Sequence, residues 1–175
     1  MASFQERVVG VMRLQAATFE EVEHDANATA QAAIVVLAVT IASSLVVLDL
    51  GVTLFLGTIL AGLIRWVAGA FVVWIIGTRL LPGRNTEGDF TQVMRTIGFA
   101  HAPGIFAVLW IIPIIGWLIA LAASIWALIA TVIGVRQALD YDDTLRAVIV
   151  CVIAWIVMVL VMMVASLIGL GARVW

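Results

Sequence analysis

The sequence contains no lysine and few charged residues of any kind. Its 175 residues include 9 basic residues, all arginine, and 11 acidic residues, and charged residues make up only 11% of the chain. A soluble domain carries about a quarter. Hydrophobic residues make up 65%. One water-soluble core cannot hide that much apolar surface, because a domain of ~150 residues still exposes roughly a third of the surface of its unfolded chain. The composition therefore predicts a protein whose solvent is lipid.

Cysteine is almost absent, and the motifs of known catalytic sites are missing. Cys151 is the single cysteine, which excludes an internal disulfide. The sequence has no phosphate-binding glycine loop, no haem or zinc motif and no nucleophile motif. His24 lies among acidic residues, but their spacing matches no metal-ligand pattern, and a solvated surface is expected there. Because these motifs are missing, the chain is predicted to have no catalytic activity, cofactor or metal site. The net charge of −2 predicts no nucleic-acid partner.

Residues 1–28 hold most of the polar character of the chain and are predicted to form a cytoplasmic or interfacial segment. Four apolar residues recur there at helical spacing, which predicts a short amphipathic helix lying in the membrane interface. They are Phe4, Val8, Val11 and Met12. A loosely ordered tail is the alternative. Thr18, followed three residues later by Glu21, matches a capping box and predicts the start of a second helix.

Residues 29–175 are predicted to form an all-α transmembrane bundle of about five spans. Apolar segments of about 20 residues cross a hydrocarbon core of ~30 Å as helices. The apolar run 96–135 would reach ~60 Å as one helix, so it must fold back. Pro113 and Gly116 lie between two tryptophans and indicate a turn there. The predicted spans are about 30–48, 53–78, 96–112, 115–135 and 146–170.

The distribution of arginine predicts the orientation. Five spans place the N-terminal segment and the loops 79–95 and 136–146 on one side of the membrane. That side holds all the arginines except Arg65, inside a span, and Arg173, on the opposite side with Trp175 as an interfacial anchor. The positive-inside rule then predicts a cytoplasmic N-terminus and an outside C-terminus. Arginine without lysine, among many alanines and valines, indicates a GC-rich bacterial genome and so a bacterial cytoplasmic membrane.

Small residues at helical spacing predict where helices approach closely, since lipid gives helices no hydrophobic reason to associate. In the fourth span the stripe is Ala120, Ala123, Ser124, Ala127, Thr131 and Gly134. In the second span it is Thr58, Ala61, Gly62, Ala68 and Gly69. The two stripes predict that the second and fourth spans lie at the centre of the bundle and touch.

Arg65 and His101 are ionisable residues within predicted spans. Arg65 shares the small-residue face of the second span, so it is predicted to be buried in the bundle, at a cost of roughly 2.5–3.5 kcal/mol on insertion scales. Backbone carbonyls near Pro103, a water-filled cleft, a lipid phosphate or another subunit would compensate it. A structural role, fixing helix register, is the alternative. His101 precedes Pro103, which is expected to kink the helix. It either relays protons or bonds a neighbouring carbonyl.

Several motifs, taken in order, resemble the Yip-type (Ypt/Rab-interacting protein) membrane family. They are GFAHAP at 98–103, IPIIGW at 112–117 and IGVR at 133–136, with the lead-in at 11–20 and the entry to the last span at 145–147. The resemblance covers about 8–165. It implies an all-helical fold of about five spans, a cytoplasmic N-terminus and no catalysis. Eukaryotic members act in membrane traffic through small GTPases, which they contact through an N-terminal region longer than the 28 residues present here.

These observations favour a non-enzymatic membrane scaffold or accessory protein, such as a small subunit of a larger membrane complex. The expected partners are the lipid bilayer and a membrane protein or a second copy of the chain. A small anion or proton transporter that uses Arg65 and His101 is one alternative. A lipid-organising or membrane-shaping protein that uses the N-terminal helix is another.

Overall fold

The fold of residues 2–167, described by a computed structural model, consists of seven α-helices with no strand in that range. The helices are α1 (Phe4–Met12), α2 (Ala16–His24), α3 (Ala28–Ser44), α4 (Val52–Ile75), α5 (Phe90–Ala100), α6 (Gly116–Ala138) and α7 (Thr144–Leu167). A 3-10 turn, Leu45–Leu50, continues α3, and a π-helical turn, Ile76–Leu80, continues α4. The anchor predicted at Arg173 and Trp175, and the end of the fifth span, lie outside the described residues.

Within residues 2–167, five segments are long and apolar enough to cross a membrane, which confirms the predicted number of spans. They are Ala28–Leu50, Val52–Leu80, Phe90–Ile111, Gly116–Ala138 and Thr144–Leu167. Large apolar side chains lie exposed along them, as contact with lipid requires. On α4 these are Leu56, Leu60, Ile64, Val67 and Phe71.

The third span is wound in two ways. Its α-helix begins at Phe90, where Asp89 and Gln92 form the capping box that these two residues predict from the sequence. The α-helix ends at Ala100, and a 3-10 segment, Ala102–Ile111, completes the span. Pro103 is the second residue of that segment, so the backbone changes helix type at His101 instead of kinking within one helix.

The chain reverses direction between the third and fourth spans at 112–115, and α6 begins at Gly116. Ile114 has a positive φ of 73°, an uncommon conformation for a β-branched residue. Gly116 is buried against the preceding span, and a Cβ there would lie 2.4 Å from the carbonyl oxygen of Trp110. The turn therefore depends on the missing side chain of Gly116.

The two N-terminal helices pack on the membrane bundle. Val11, Phe19 and Val22 are fully buried, and Trp126 of α6 donates a hydrogen bond from Nε1 to the carbonyl oxygen of Met12 at 2.9 Å. The apolar side of α1 thus faces the protein. The predicted helix start at Thr18 is wrong, because α2 already begins at Ala16. Between α1 and α2, Leu14 has a positive φ and turns the chain.

The central helix is α5, and the predicted contact between the second and fourth spans is wrong. The short α5 packs against α2, α3, α4 and α6, whereas α4 and α6 have no extensive contact with each other. Gly98 of α5 allows this, because a Cβ there would lie 2.7 Å from Ala32 of α3 and 3.0 Å from Trp66 of α4. A stripe of small residues predicts that another helix approaches closely, but it does not identify which helix that is.

The stripe residues therefore serve several partners. Gly62 is buried against Thr40 of α3, and Gly134 against the ring of Phe19 of α2. Gly69 has no atom within 4 Å of a Cβ position and faces open space. Burial varies along the rest of the fourth-span stripe: Ala123 is buried, Ala120 and Ala127 are half-buried, and Ser124 is exposed.

Candidate functional site

The polar segments of the chain meet at one end of the bundle. Gln137 of α6 donates from Nε2 to Oε2 of Glu20 in α2 at 3.0 Å. Trp74 of α4 donates to the carbonyl oxygen of Gly88 at 3.1 Å, and Arg146 of α7 donates to that of Pro82. Segments far apart in sequence thus form one layer, which we call the polar face.

An open cleft of about 850 Å³ lies in the polar face. It carries both signs of charge and very little apolar surface. Its lining residues are Glu20, Gly83, Arg84, Asn85, Thr86, Glu87, Arg136, Gln137, Asp140, Tyr141 and Asp142. A cleft of this composition suits a charged or strongly polar ligand, or a polar segment of another protein.

Tyr141 joins the loop at 139–143, on one side of the cleft, to the end of the second span. Its hydroxyl donates to the carbonyl oxygens of Gly77 at 2.9 Å and Leu81 at 3.0 Å, which the helix end leaves unpaired. Burial raises the pKa of Tyr141 to about 12, so the group stays a donor at every physiological pH. Arg136 donates to the carbonyl oxygen of Tyr141 at 3.2 Å and fixes the other side of the loop.

Arg7 is buried at the contact between α1, α2 and α3. Only 1% of its side chain is exposed, and it donates to Glu21 at 2.9 Å, Asp25 at 2.7 Å and Gln31 at 3.0 Å. The guanidinium of Arg7 lowers the pKa of Asp25 below its ordinary value. Every charge in this group therefore has a partner, as burial requires.

Glu23 and Arg95 form a second buried pair, but without a direct ion pair. Arg95 donates to the backbone carbonyl oxygen of Glu23, and its Nε has no hydrogen-bond partner. Glu23 is 1% exposed, and its Oε2 also has none. Burial, and then the charge of Asp140, raises the pKa of Glu23 to about 7. The site therefore contains a buried carboxyl group, beside an arginine, with one oxygen that accepts no hydrogen bond from residues 2–167.

Arg65 and His101 line one cavity of about 260 Å³ between α4, α5, α6 and α7. The other residues that line it are Trp66, Gly69, Val73, Ile97, Leu128, Thr131, Cys151, Ala154, Trp155 and Met158. Arg65 itself is exposed at the edge of this cavity, so the expectation of a buried guanidinium is wrong.

His101 is half-buried and donates from Nδ1 to the carbonyl oxygen of Ile97 at 2.7 Å. This bond satisfies a carbonyl that the end of α5 leaves without its usual partner. From sequence, Arg65 and His101 could be assigned only to membrane spans, and the sequence did not show that they line the same cavity. Carbonyl bonding, the structural alternative for His101, is the interaction present.

Sequence reasoning did not single out Arg7, Glu23 or Tyr141. The signal for the first was the spacing of acids in α2: Glu21 and Asp25 lie on one side of a helix, and Arg7 is the cation within reach. Glu23 and Tyr141 gave no local signal, because their surroundings come from segments more than 50 residues away along the chain.

One comparison with known proteins gave a match, and that match covers most of the chain. The family model described as Yip1 domain matches residues 9–165. A search of curated proteins and a search of solved structures found no match. The match includes α5, the turn at 112–115 and the polar face, so family membership covers the elements that build the site. The chain belongs to the Yip1 domain family of polytopic membrane proteins.

Proposed function

We propose that the chain is a non-enzymatic membrane accessory protein, a small subunit that pairs with another integral membrane protein. The observation that carries the proposal is Arg65, an exposed guanidinium in the middle of the second span. Within residues 2–167, no carboxylate oxygen lies within 4.0 Å of it. A charge at this depth needs compensation worth a few kcal/mol, and a carboxylate from a partner helix supplies it.

The surroundings of Arg65 support a protein partner rather than lipid alone. Ile64 is 60% exposed and Leu60 59%, so α4 presents an apolar surface near the depth of Arg65 that a second helix can cover. Gly69 lies one turn along and has open space around it. Small residues of this kind let a partner backbone approach closely.

We further propose that the polar face lies in the cytoplasm, with the N-terminus on that side. Arg7, Arg84, Arg136 and Arg146 lie on this face or in the helices packed there. Their position follows the positive-inside rule. A bacterial cytoplasmic membrane fits the arginine-only composition.

Gentle detergent extraction of the tagged full-length protein from its own membrane, followed by mass spectrometry, tests the proposal. A stoichiometric membrane companion is expected, and Arg65→Leu should lose at least ~90% of it. Arg13→Leu removes an exposed charge at the end of α1 and should retain the companion. A clean wild-type monomer, or equal recovery with Arg65→Leu, would sink the proposal.

Transport of a small anion is a second candidate, favoured by the cavity that joins Arg65 to His101. Flux of chloride or phosphate into proteoliposomes, abolished by Arg65→Leu with insertion intact, would support it. No flux above that of protein-free liposomes would remove it, whatever the outcome of the extraction experiment.

A further inference from the structure

The acidic stretch of α2 divides into two groups with different electrostatics. Glu21 and Asp25 face Arg7 and are neutralised by it. Glu20, Glu23 and His24 lie together on another side of the helix, and Arg95, the arginine beside Glu23, donates to its backbone carbonyl oxygen and not to its carboxylate. Positions 20 and 24 are one helical turn apart, and position 23 lies between them on the same side.

The three side chains of this second group converge. One ligand atom of each, a carboxylate oxygen or an imidazole nitrogen, lies within 4.8 Å of the others. Oε2 of Glu20 accepts from Gln137 at 3.0 Å, which orients the carboxylate. Nδ1 of His24 donates to the carbonyl oxygen of Glu20 at 2.9 Å, which leaves Nε2 as the free lone pair.

Glu23 is the observation that points to a ligand. Its side chain is 1% exposed, its Oε2 has no hydrogen-bond partner among the residues that the structure describes, and its carboxylate lies in the cluster. A buried carboxylate oxygen normally has a partner, and its absence carries a free-energy penalty. A bound cation would remove that penalty.

We propose that Glu20, Glu23 and His24 bind a divalent first-row transition metal ion of the Zn²⁺ type. Two carboxylate oxygens and one imidazole nitrogen form a ligand set that Zn²⁺ accepts. Mg²⁺ prefers oxygen ligands in a near-ideal octahedron and is a poor match for a site with an imidazole. Asp140, close enough to act on the charge of Glu23, adds negative potential at the cluster.

The metal would fix α2 to the membrane bundle at the polar face. Glu20 is already bonded to Gln137 of α6, and the cluster lies beside the cleft that Glu20 and Asp140 line. Binding would therefore join the N-terminal helices to the loop at 139–143. This inference concerns α2 and stands independently of the partner proposed for Arg65.

Titration of the full-length protein in detergent micelles, stripped with EDTA and then given Zn²⁺, tests the site by calorimetry. One equivalent should bind, and Mg²⁺ at the same concentration should not. Glu23→Gln and His24→Gln should each weaken Zn²⁺ binding at least tenfold. Glu87→Gln, which changes an exposed acid of the same cleft, should leave the affinity unchanged.

Thermal unfolding separates loss of the site from loss of the fold. Without metal, Glu23→Gln should unfold at the same or a higher temperature than the wild type, because it removes a buried charge. Saturating Zn²⁺ should raise the unfolding temperature of the wild type and of Glu87→Gln, but not of Glu23→Gln. Equal Zn²⁺ binding by the wild type and Glu23→Gln, or a wild type that binds none, would overturn the proposal.

Discussion

Arg7 shows how much one side chain contributes where two N-terminal helices meet the bundle. Its guanidinium reaches Glu21, Asp25 and Gln31 from the centre of the contact. Asp25 is itself only 8% exposed, so without Arg7 it would be a buried charge with no cation. A buried pair is worth little against an apolar replacement of both partners, but breaking one side of it is strongly destabilising.

Replacing Arg7 by Met should lower the free energy of unfolding by roughly 3–5 kcal/mol, the usual loss when one partner of a buried ion pair is removed. Thermal or denaturant unfolding of the purified protein in detergent measures it. Arg13→Met, at an exposed position on the same helix, should change the stability by less than about 0.5 kcal/mol. Similar unfolding curves for the two variants would contradict this account of the buried cluster.

Glu23 gives the folded protein a pH dependence near neutrality. Its pKa is about 7 when folded, against an ordinary value of 4.5, so the folded state holds this proton more tightly. The protonated Glu23 therefore stabilises the folded state fully below pH ~4.5, and this stabilisation is lost as the pH rises through about 7. By pH 8 the free energy of unfolding has fallen by roughly 3 kcal/mol.

In buffer with EDTA, the unfolding temperature of the wild type should therefore fall between pH 5 and pH 8. Glu23→Gln should fall less over that range, and the difference between the two isolates Glu23 from His24, whose pKa is also raised. Parallel pH profiles would show that Glu23 does not carry the effect.

Among the elements, the turn between the third and fourth spans is the most sensitive to a single methyl group. A Cβ on Gly116 would lie 2.4 Å from Trp110 O and 2.6 Å from Leu109 O, which are backbone atoms that cannot swing aside. Gly69 has nothing within 4 Å, so a methyl group fits there.

Gly116→Ala should destabilise the bundle by about 2 kcal/mol or more, whereas Gly69→Ala should cause no loss, since alanine favours the helix. Unfolding temperature in detergent distinguishes them. A Gly116→Ala variant as stable as Gly69→Ala would mean that the third span does not lie against the start of α6.

The number of spans and the turn at 112–115 could be predicted from sequence, because both depend on local composition and length. The helix neighbours could not. α6 is apolar on all sides, so its sequence does not distinguish the face toward α5 from the face toward lipid. The central position of α5 depends on Gly98, because the absence of a Cβ there lets Ala32 of α3 and Trp66 of α4 approach closely.

At the scale of the whole molecule, the five apolar segments of residues 2–167 predict that the two ends of the chain lie on opposite sides of the membrane. Reporters that work only in the cytoplasm should be active when fused at the N-terminus or in the loop at 84–87, and inactive in the turn at 112–115. Reporters that work only outside should give the reverse. Activity of one reporter at all three positions would contradict the orientation proposed from arginine placement.

The mixed winding of the third span changes its reach. A 3-10 helix rises ~2.0 Å per residue and an α-helix ~1.5 Å. The 10 residues of Ala102–Ile111 therefore extend roughly 20 Å, where an α-helix would extend about 15 Å. Rewinding this segment into an α-helix would shorten the span by about 5 Å, and the tip at 112–115 would sink below the headgroups on its side of a bilayer of unchanged thickness.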